Sequence, residues 1–303
     1  MKKKMKVWLI IAAILCGVGL LTFSITFAAV GFDYRLMDTI DAVDSAYVIN
    51  DAFDSILINV ESADVRFEES ADGSVKVLIH EKENEPHSVS VHNGKLMIFV
   101  NECAWYEDIL SYYFGSESIT ILLPRESGVS LKAETDTGDV TLADTLLFGD
   151  VAIETDTGDV TVASEVSGLL SLTSDTGDVV LRNTMLSSAY IETDTGDIEI
   201  SSVRFSGALG IETDTGDVDL NRSIVAGDVA IETDTGDVDF SRIDAANLYV
   251  VTDTGDVEGS LLSEKIFIIK TDTGDKKVPH TTQGGICKIT TDTGDIEITL
   301  VKE

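Results

Sequence analysis

The chain has 303 residues, with 54 acidic and 21 basic side chains and a formal net charge of −33. Such a balance excludes holding DNA or RNA by phosphate neutralisation, because the chain would repel a polyanion. A hydrophobic content of 44 % excludes an acidic disordered tail, and only three prolines, with the 24 glycines spread mostly along the chain's repeats, exclude long low-complexity linkers.

At the N-terminus, Lys2, Lys3, Lys4 and Lys6 precede 26 uncharged residues from Val7 to Phe32. That run exceeds the roughly 20 residues a membrane-spanning helix needs and the roughly 7–15-residue core of a cleaved signal peptide. The pattern predicts a cytoplasmic basic tail over 1–6 and a transmembrane signal anchor over 7–32. The body then lies outside the cell membrane, since the lysines stay inside. A cleaved signal is the alternative, although the small-residue pattern near Ala28 and Ala29 is imperfect. Leu15 stands before Cys16 where a lipoprotein signal wants a small residue, which argues against lipidation. Residues 33–50 read as a juxtamembrane connector.

Residues 51–131 read as an N-terminal β region and cap. In SILINVESADVRF (55–67), Ser62-Ala63-Asp64 stands where a fuller motif recurs later, so this is a degenerate first coil. VKVLIHEKE and KLMIFVNE read as further strands. The segment CAWYEDILSYYFGS gathers Trp105, Tyr106, Tyr112, Tyr113 and Phe114. It is read as a cap protecting the end strands, with a partner-binding patch as the alternative. Pro124 leads into the regular stack.

Over 132–303 the string Thr-Asp-Thr-Gly-Asp, once with Ser in first place, occurs nine times. Its glycines, Gly138, Gly158, Gly177, Gly196, Gly216, Gly236, Gly255, Gly274 and Gly294, are 19 or 20 residues apart. A fixed period of this size is the signature of a solenoid whose coils bury a continuous core only when stacked. Around each motif apolar and polar residues alternate, as in VAIETDTGDVTV (151–162), the mark of a half-buried strand. Apolar residues recur five before the glycine, two after and four after; Lys276 and Gly259 are the departures in the latter two rows. The predicted fold is all-β, a single-stranded β-helix (β-solenoid) of nine coils, right-handed by the general rule for parallel crossovers. The glycine is read as supplying turn freedom. The last coil keeps its ladder residues Ile296 and Ile298, and the C-terminal end reads as an open edge available for assembly.

The membrane-anchor pattern, the degenerate opening coil, Leu-Pro-Arg at 123–125 and the repeated Thr-Gly-Asp turns together resemble the bacterial β-strand-repeat family of domain of unknown function 4097, labelled "putative adhesin". The resemblance covers about residues 47–303, and the segment 259–298 is most similar to members from anaerobic Gram-positive bacteria. It implies a cell-surface β-repeat protein and carries over no catalytic residue. The departure is uniformity: all nine copies keep Asp-Thr-Gly-Asp, where the resemblance implies mixed Ser, Thr and Asn.

The aspartates are the candidate chemistry. The first row is Asp136, Asp156, Asp175, Asp194, Asp214, Asp234, Asp253, Asp272 and Asp292. The second is Asp139, Asp159, Asp178, Asp197, Asp217, Asp237, Asp256, Asp275 and Asp295. Glu134, Glu154, Glu192, Glu212 and Glu232 add a partial third row. Stacking places like charges about 5 Å apart, at a cost on the order of 1 kcal/mol per pair in water. Two explanations stand open: the carboxylates cap the turns by accepting backbone N–H bonds, or they hold calcium between coils as oxygen-rich ligands. Water- or ice-ordering by the threonines fails, because the strand phase turns the first Thr inward. The cysteines Cys16, Cys103 and Cys287 and the histidines His80, His87, His92 and His280 show no metal-type spacing and no catalytic arrangement. The expectation is a non-enzymatic, adhesin-like or structural surface protein, touching wall polymer, host glycan or an envelope protein. The alternatives are an envelope-stress or signalling accessory acting through a membrane partner and, more remotely, a polysaccharide-active β-helix enzyme, which would need one unique acid–base constellation.

Overall fold

A computed structural model describes residues 3–29, 31–32, 40–101, 113 and 115–301. Two compact units are distinguished: Met1–Val43 with Lys82–Pro86 and Glu102–Ser116, and Asp44–Glu81 with His87–Asn101 and Glu117–Glu303. The first contains the helix Lys3–Ala29. Its stretch Ile10–Ala29, mean hydropathy 2.3, is long and apolar enough to cross a membrane. The polar side chains within it are satisfied internally. Ser24 Oγ donates to the Leu20 carbonyl at 2.8 Å and Thr26 Oγ1 to the Thr22 carbonyl at 3.0 Å, which suits an apolar medium.

The second unit is the all-β solenoid the repeat predicts. Each motif copy closes one strand, turns at its glycine and starts a strand in a second sheet, as in Leu147–Thr157 followed by Val160–Val162. Pairing is parallel and in register. Ile153 lies between Ala133 and Leu172, and Val160 between Val140 and Val179. Like therefore stacks on like, and β-branched ladders fill the space between the two sheets. Ile153, Val160 and Val162 are 2 %, 1 % and 0 % exposed. The degenerate coil joins this stack as the sequence implies, with Val65 beside Val140 and Phe67 beside Leu142.

At both ends the order in space departs from the order in the chain. Strand Leu248–Thr254 pairs not with the next motif strand but with Gly285–Thr293, and Lys265–Thr273 lies beyond that. In the second sheet Ile296–Leu300 likewise lies between Val257–Leu261 and Lys276–Lys277. The last coil is thus inserted, and the exposed edge belongs to the coil of Gly274. This corrects the expectation that the final coil forms the open edge. It also accounts for Lys276. An apolar side chain there would face water at the rim, whereas Lys276 and Lys277, both exposed, protect an edge from pairing with other chains. The N-terminal end mirrors this arrangement. Ser55–Val60 lies between Val129–Thr137 and Lys95–Val100, so the later strand is outermost.

Antiparallel strands close that N-terminal end. Val75–Lys82 pairs with Glu117–Leu123, and His87–His92 pairs with Lys95–Val100. Of the aromatics expected to form the cap, Trp105, Tyr106, Tyr112 and Phe114 lie outside the described residues. Strand Ala42–Ile49 falls inside the segment read as a connector and pairs with Val75–Lys82. Buried between the capping strands is a polar knot. The Glu81 carboxylate accepts from Ser45 Oγ at 2.7 Å and from the His87 backbone N–H at 2.5 Å, and lies 2.9 Å from His87 Nδ1. The two side chains of the Glu81–His87 pair are 3 % and 1 % exposed. His87 is therefore a core residue of the cap.

Candidate functional site

The turn edge of the solenoid sorts the motif's five residues into separate roles. The first Thr faces inward, as the strand phase requires: Thr213 and Thr233 are each 2 % exposed. The glycine is required for close approach more than for turn freedom. A Cβ on Gly216 would sit 2.0 Å from the Gly196 carbonyl oxygen, and one on Gly236 2.0 Å from that of Gly216. Only Gly274 and Gly294, at φ +154° and +157°, leave the ordinary backbone range among the motif glycines.

The two aspartate rows differ. The first is exposed along the whole stack, and among the described residues its one ion pair joins Asp272 to Lys270 at 3.1 Å. The second row is a continuous hydrogen-bonded ladder. The Asp217 backbone N–H donates to Asp197 Oδ1 at 2.9 Å, and that of Asp237 to Asp217 Oδ1 at 2.8 Å. The ladder starts on Asp64 of the degenerate coil, which accepts from the Asp139 N–H at 3.2 Å. It follows the spatial order at the far end, where the Asp295 N–H donates to Asp256 and the Asp275 N–H to Asp295. These carboxylates therefore bind the backbone of the neighbouring coil, whereas turn capping was one of the two explanations the sequence left open. Asp197→Ala is expected to cost about 1 kcal/mol by denaturant unfolding, and Asp194→Ala in the first row nothing or a slight gain from relieved repulsion.

A further acidic row, three residues after the motif glycine, went unrecognised in the sequence. Glu199, Asp219, Asp239, Glu258 and Glu297 face one another in register along the outside of the second sheet. It ends on Lys277, which bonds Glu297. The signal was available, since Asp219 alternates with buried Val218 and Leu220. Desolvation within the row and then repulsion from neighbouring carboxylates, chiefly Asp239 for Asp219 and Asp237 for Asp239, push both Asp219 and Asp239 above the usual carboxylate range. A raised folded-state value means that folding is favoured as pH falls through it, and that this gain is absent at neutral pH. Asp219→Asn with Asp239→Asn should therefore raise the melting temperature at pH 7, and the gain should vanish near pH 4. Equal gains at both pH values would refute the assignment.

Among the described residues, no three His, Cys, Asp or Glu side chains form a group arranged to hold a metal ion. Cys287 lies in the core, where burial pushes its thiol up to about 12. Near the C-terminal edge a buried lysine escaped sequence reading. Lys265, 3 % exposed, donates to Asp244 Oδ1 at 3.0 Å and to Ser263 Oγ. Ser263 in turn donates to Asp244 at 2.5 Å. These bonds from Ser263 and Lys265 outweigh desolvation and hold the Asp244 carboxyl below the usual range.

An apolar N-terminal helix and a parallel solenoid with stacked Thr-Gly-Asp turns define a β-strand-repeat protein. The chain belongs to the Toastrack family, DUF4097, which it matches over residues 53–213 and 206–303. Two solved structures share the fold. A "putative adhesin" from Parabacteroides distasonis ATCC 8503 is similar at a TM-score of 0.57 and 12 % identity, over 86 % of this chain and 98 % of that one. A "putative lipid binding protein" from the same organism is similar at 0.53 and 15 % identity, over 86 % and 98 %. No curated protein matches the chain.

Proposed function

We propose that the chain is a non-catalytic contact module of the cell envelope. The helix Lys3–Ala29 tethers it to the membrane, with the lysine-rich start inside and the solenoid outside. The observation that carries this reading is the repetition of outward chemistry. Glu192, Glu212 and Glu232 stand side by side on the sheet face, and the first-row aspartates are exposed beside them. A surface that presents the same groups at every level suits extended, multivalent contact, whereas catalysis needs one convergent constellation. The test is retention of the full chain, reconstituted in vesicles, on isolated cell envelopes and purified wall or host glycans. Retention supports the reading. Co-purification of a membrane partner with no retention on any envelope surface would replace it with a signalling role.

A further inference from the structure

We infer that the outer face of the sheet built from the motif strands is a binding track for a linear, uncharged polysaccharide, with Tyr190 and Tyr249 as its stacking platforms. The inference rests on the contact reading above and names its ligand class. In register across four coils stand Tyr190, Gly210, Ala230 and Tyr249. Only a hydrogen and a methyl group thus rise between the two rings, which are about 14 Å apart at the usual strand spacing. Tyr190 is 38 % exposed. It leans over the neighbouring coil, where a Cβ on Gly210 would lie 3.1 Å from its Cδ2. Its hydroxyl donates to Glu212 Oε2 at 2.8 Å, which holds the ring in place.

Hydrogen-bonding groups border this strip on both sides. Glu212 and Glu232 line one flank. Asp228 and Asn247, joined at 2.7 Å, lie on the same face along the other. Past Tyr190 the face continues through Ser171 into a cleft of about 510 Å³ over Leu57, Ala152 and Leu169. The Leu169 side chain is 50 % exposed. A sugar ring offers C–H faces to the electron-rich face of an aromatic ring and hydroxyl donors to carboxylates. Apolar floor, aromatic platforms and a few placed polar groups are what a carbohydrate groove needs. Lys132 and Lys288 stand in the same row, but the bordering carboxylates and the net charge of −33 outnumber them and repel polyanions, which excludes an anionic chain.

The experiment uses the full chain in phosphatidylcholine vesicles, co-sedimented with cellulose, with chitin and with polygalacturonate beads. Wild type should be retained on at least one neutral polymer and not on polygalacturonate. Tyr190→Ala with Tyr249→Ala should weaken retention roughly tenfold or more while leaving the melting curve of the stack in place. Tyr190→Phe keeps the ring, loses the Glu212 bond and should retain most binding; it covers the case in which the double variant folds poorly. Asp219→Asn with Asp239→Asn, on the second sheet, should leave retention unchanged. Retention that survives loss of both tyrosines, or a preference for polygalacturonate, overturns the inference. Binding to native envelopes without binding to any neutral glycan also overturns it but leaves the contact reading standing. Failure on every surface sinks the contact reading itself.

Discussion

A single methyl group in the middle of the stack, Gly216→Ala, is expected to destabilise the solenoid by about 3 kcal/mol or more. The new Cβ would lie 2.0 Å from the Gly196 carbonyl oxygen, well inside contact distance, and the atom it meets is backbone. Relief requires two adjacent coils to part. That would stretch the Gly196 N–H to Thr215 carbonyl bond at 3.1 Å and the Asp217 N–H to Asp197 bond at 2.9 Å. Gly73→Ala is the control. Gly73 has φ +72°, but a Cβ added there would meet nothing within 4 Å, so it should cost only the roughly 1–2 kcal/mol of left-handed strain. Urea unfolding followed by circular dichroism separates the two. Equal small losses would show that the motif glycine serves turn conformation and that the coils can breathe apart cheaply. Because coils interact chiefly with their neighbours, the mid-stack variant should also split the single transition into two.

The second large effect is expected at the N-terminal cap. Glu81→Ala strips the buried His87 backbone N–H and the Ser45 hydroxyl of their acceptor and leaves the imidazole facing a void. The loss should be about 3 kcal/mol, the scale for breaking a buried charged network. Glu81→Gln keeps an acceptor oxygen and should cost about 1 kcal/mol. Amide hydrogen exchange locates the damage. Strands Val75–Lys82 and His87–His92 should lose protection, while the motif strands keep theirs. Uniform loss along the whole stack would mean that the cap and the repeats form one cooperative unit.

The repeat region was legible because its signals are local and redundant. Nine copies of one motif fix strand phase, inward threonines and apolar ladders at once, and the buried Ile and Val rows follow directly. Stack order was not legible. A parallel ladder of near-identical strands accepts either neighbour, so nothing in the motif of Gly274 says that Gly285–Thr293 will take the place beside Leu248–Thr254. Lys276 was the one local hint, and its meaning depends on knowing which coil is outermost. The glycine's role was read from turn chemistry, while its cause is the close approach of a coil 20 residues away. The second aspartates follow the same rule, since each accepts from a partner one coil on. Tyr190 and Tyr249 were hidden because they occupy a row of mixed residues, from Leu57 and Lys132 to Lys288 and Ile268, and they become a pair only once register places them three strands apart.

The inserted last coil also bears on how the molecule is made. A chain emerging N-terminus first could add coils one by one as far as Leu248–Thr254. The next strand of the same sheet to emerge, Lys265–Thr273, has its native partner in residues that follow it. It must wait, or pair provisionally with Leu248–Thr254 and be displaced later. Completion of the stack is therefore tied to arrival of Gly285–Leu300 and not to steady growth. A nascent chain stalled before that segment would display an unpaired or mispaired edge, a difference that a protease or chaperone can read.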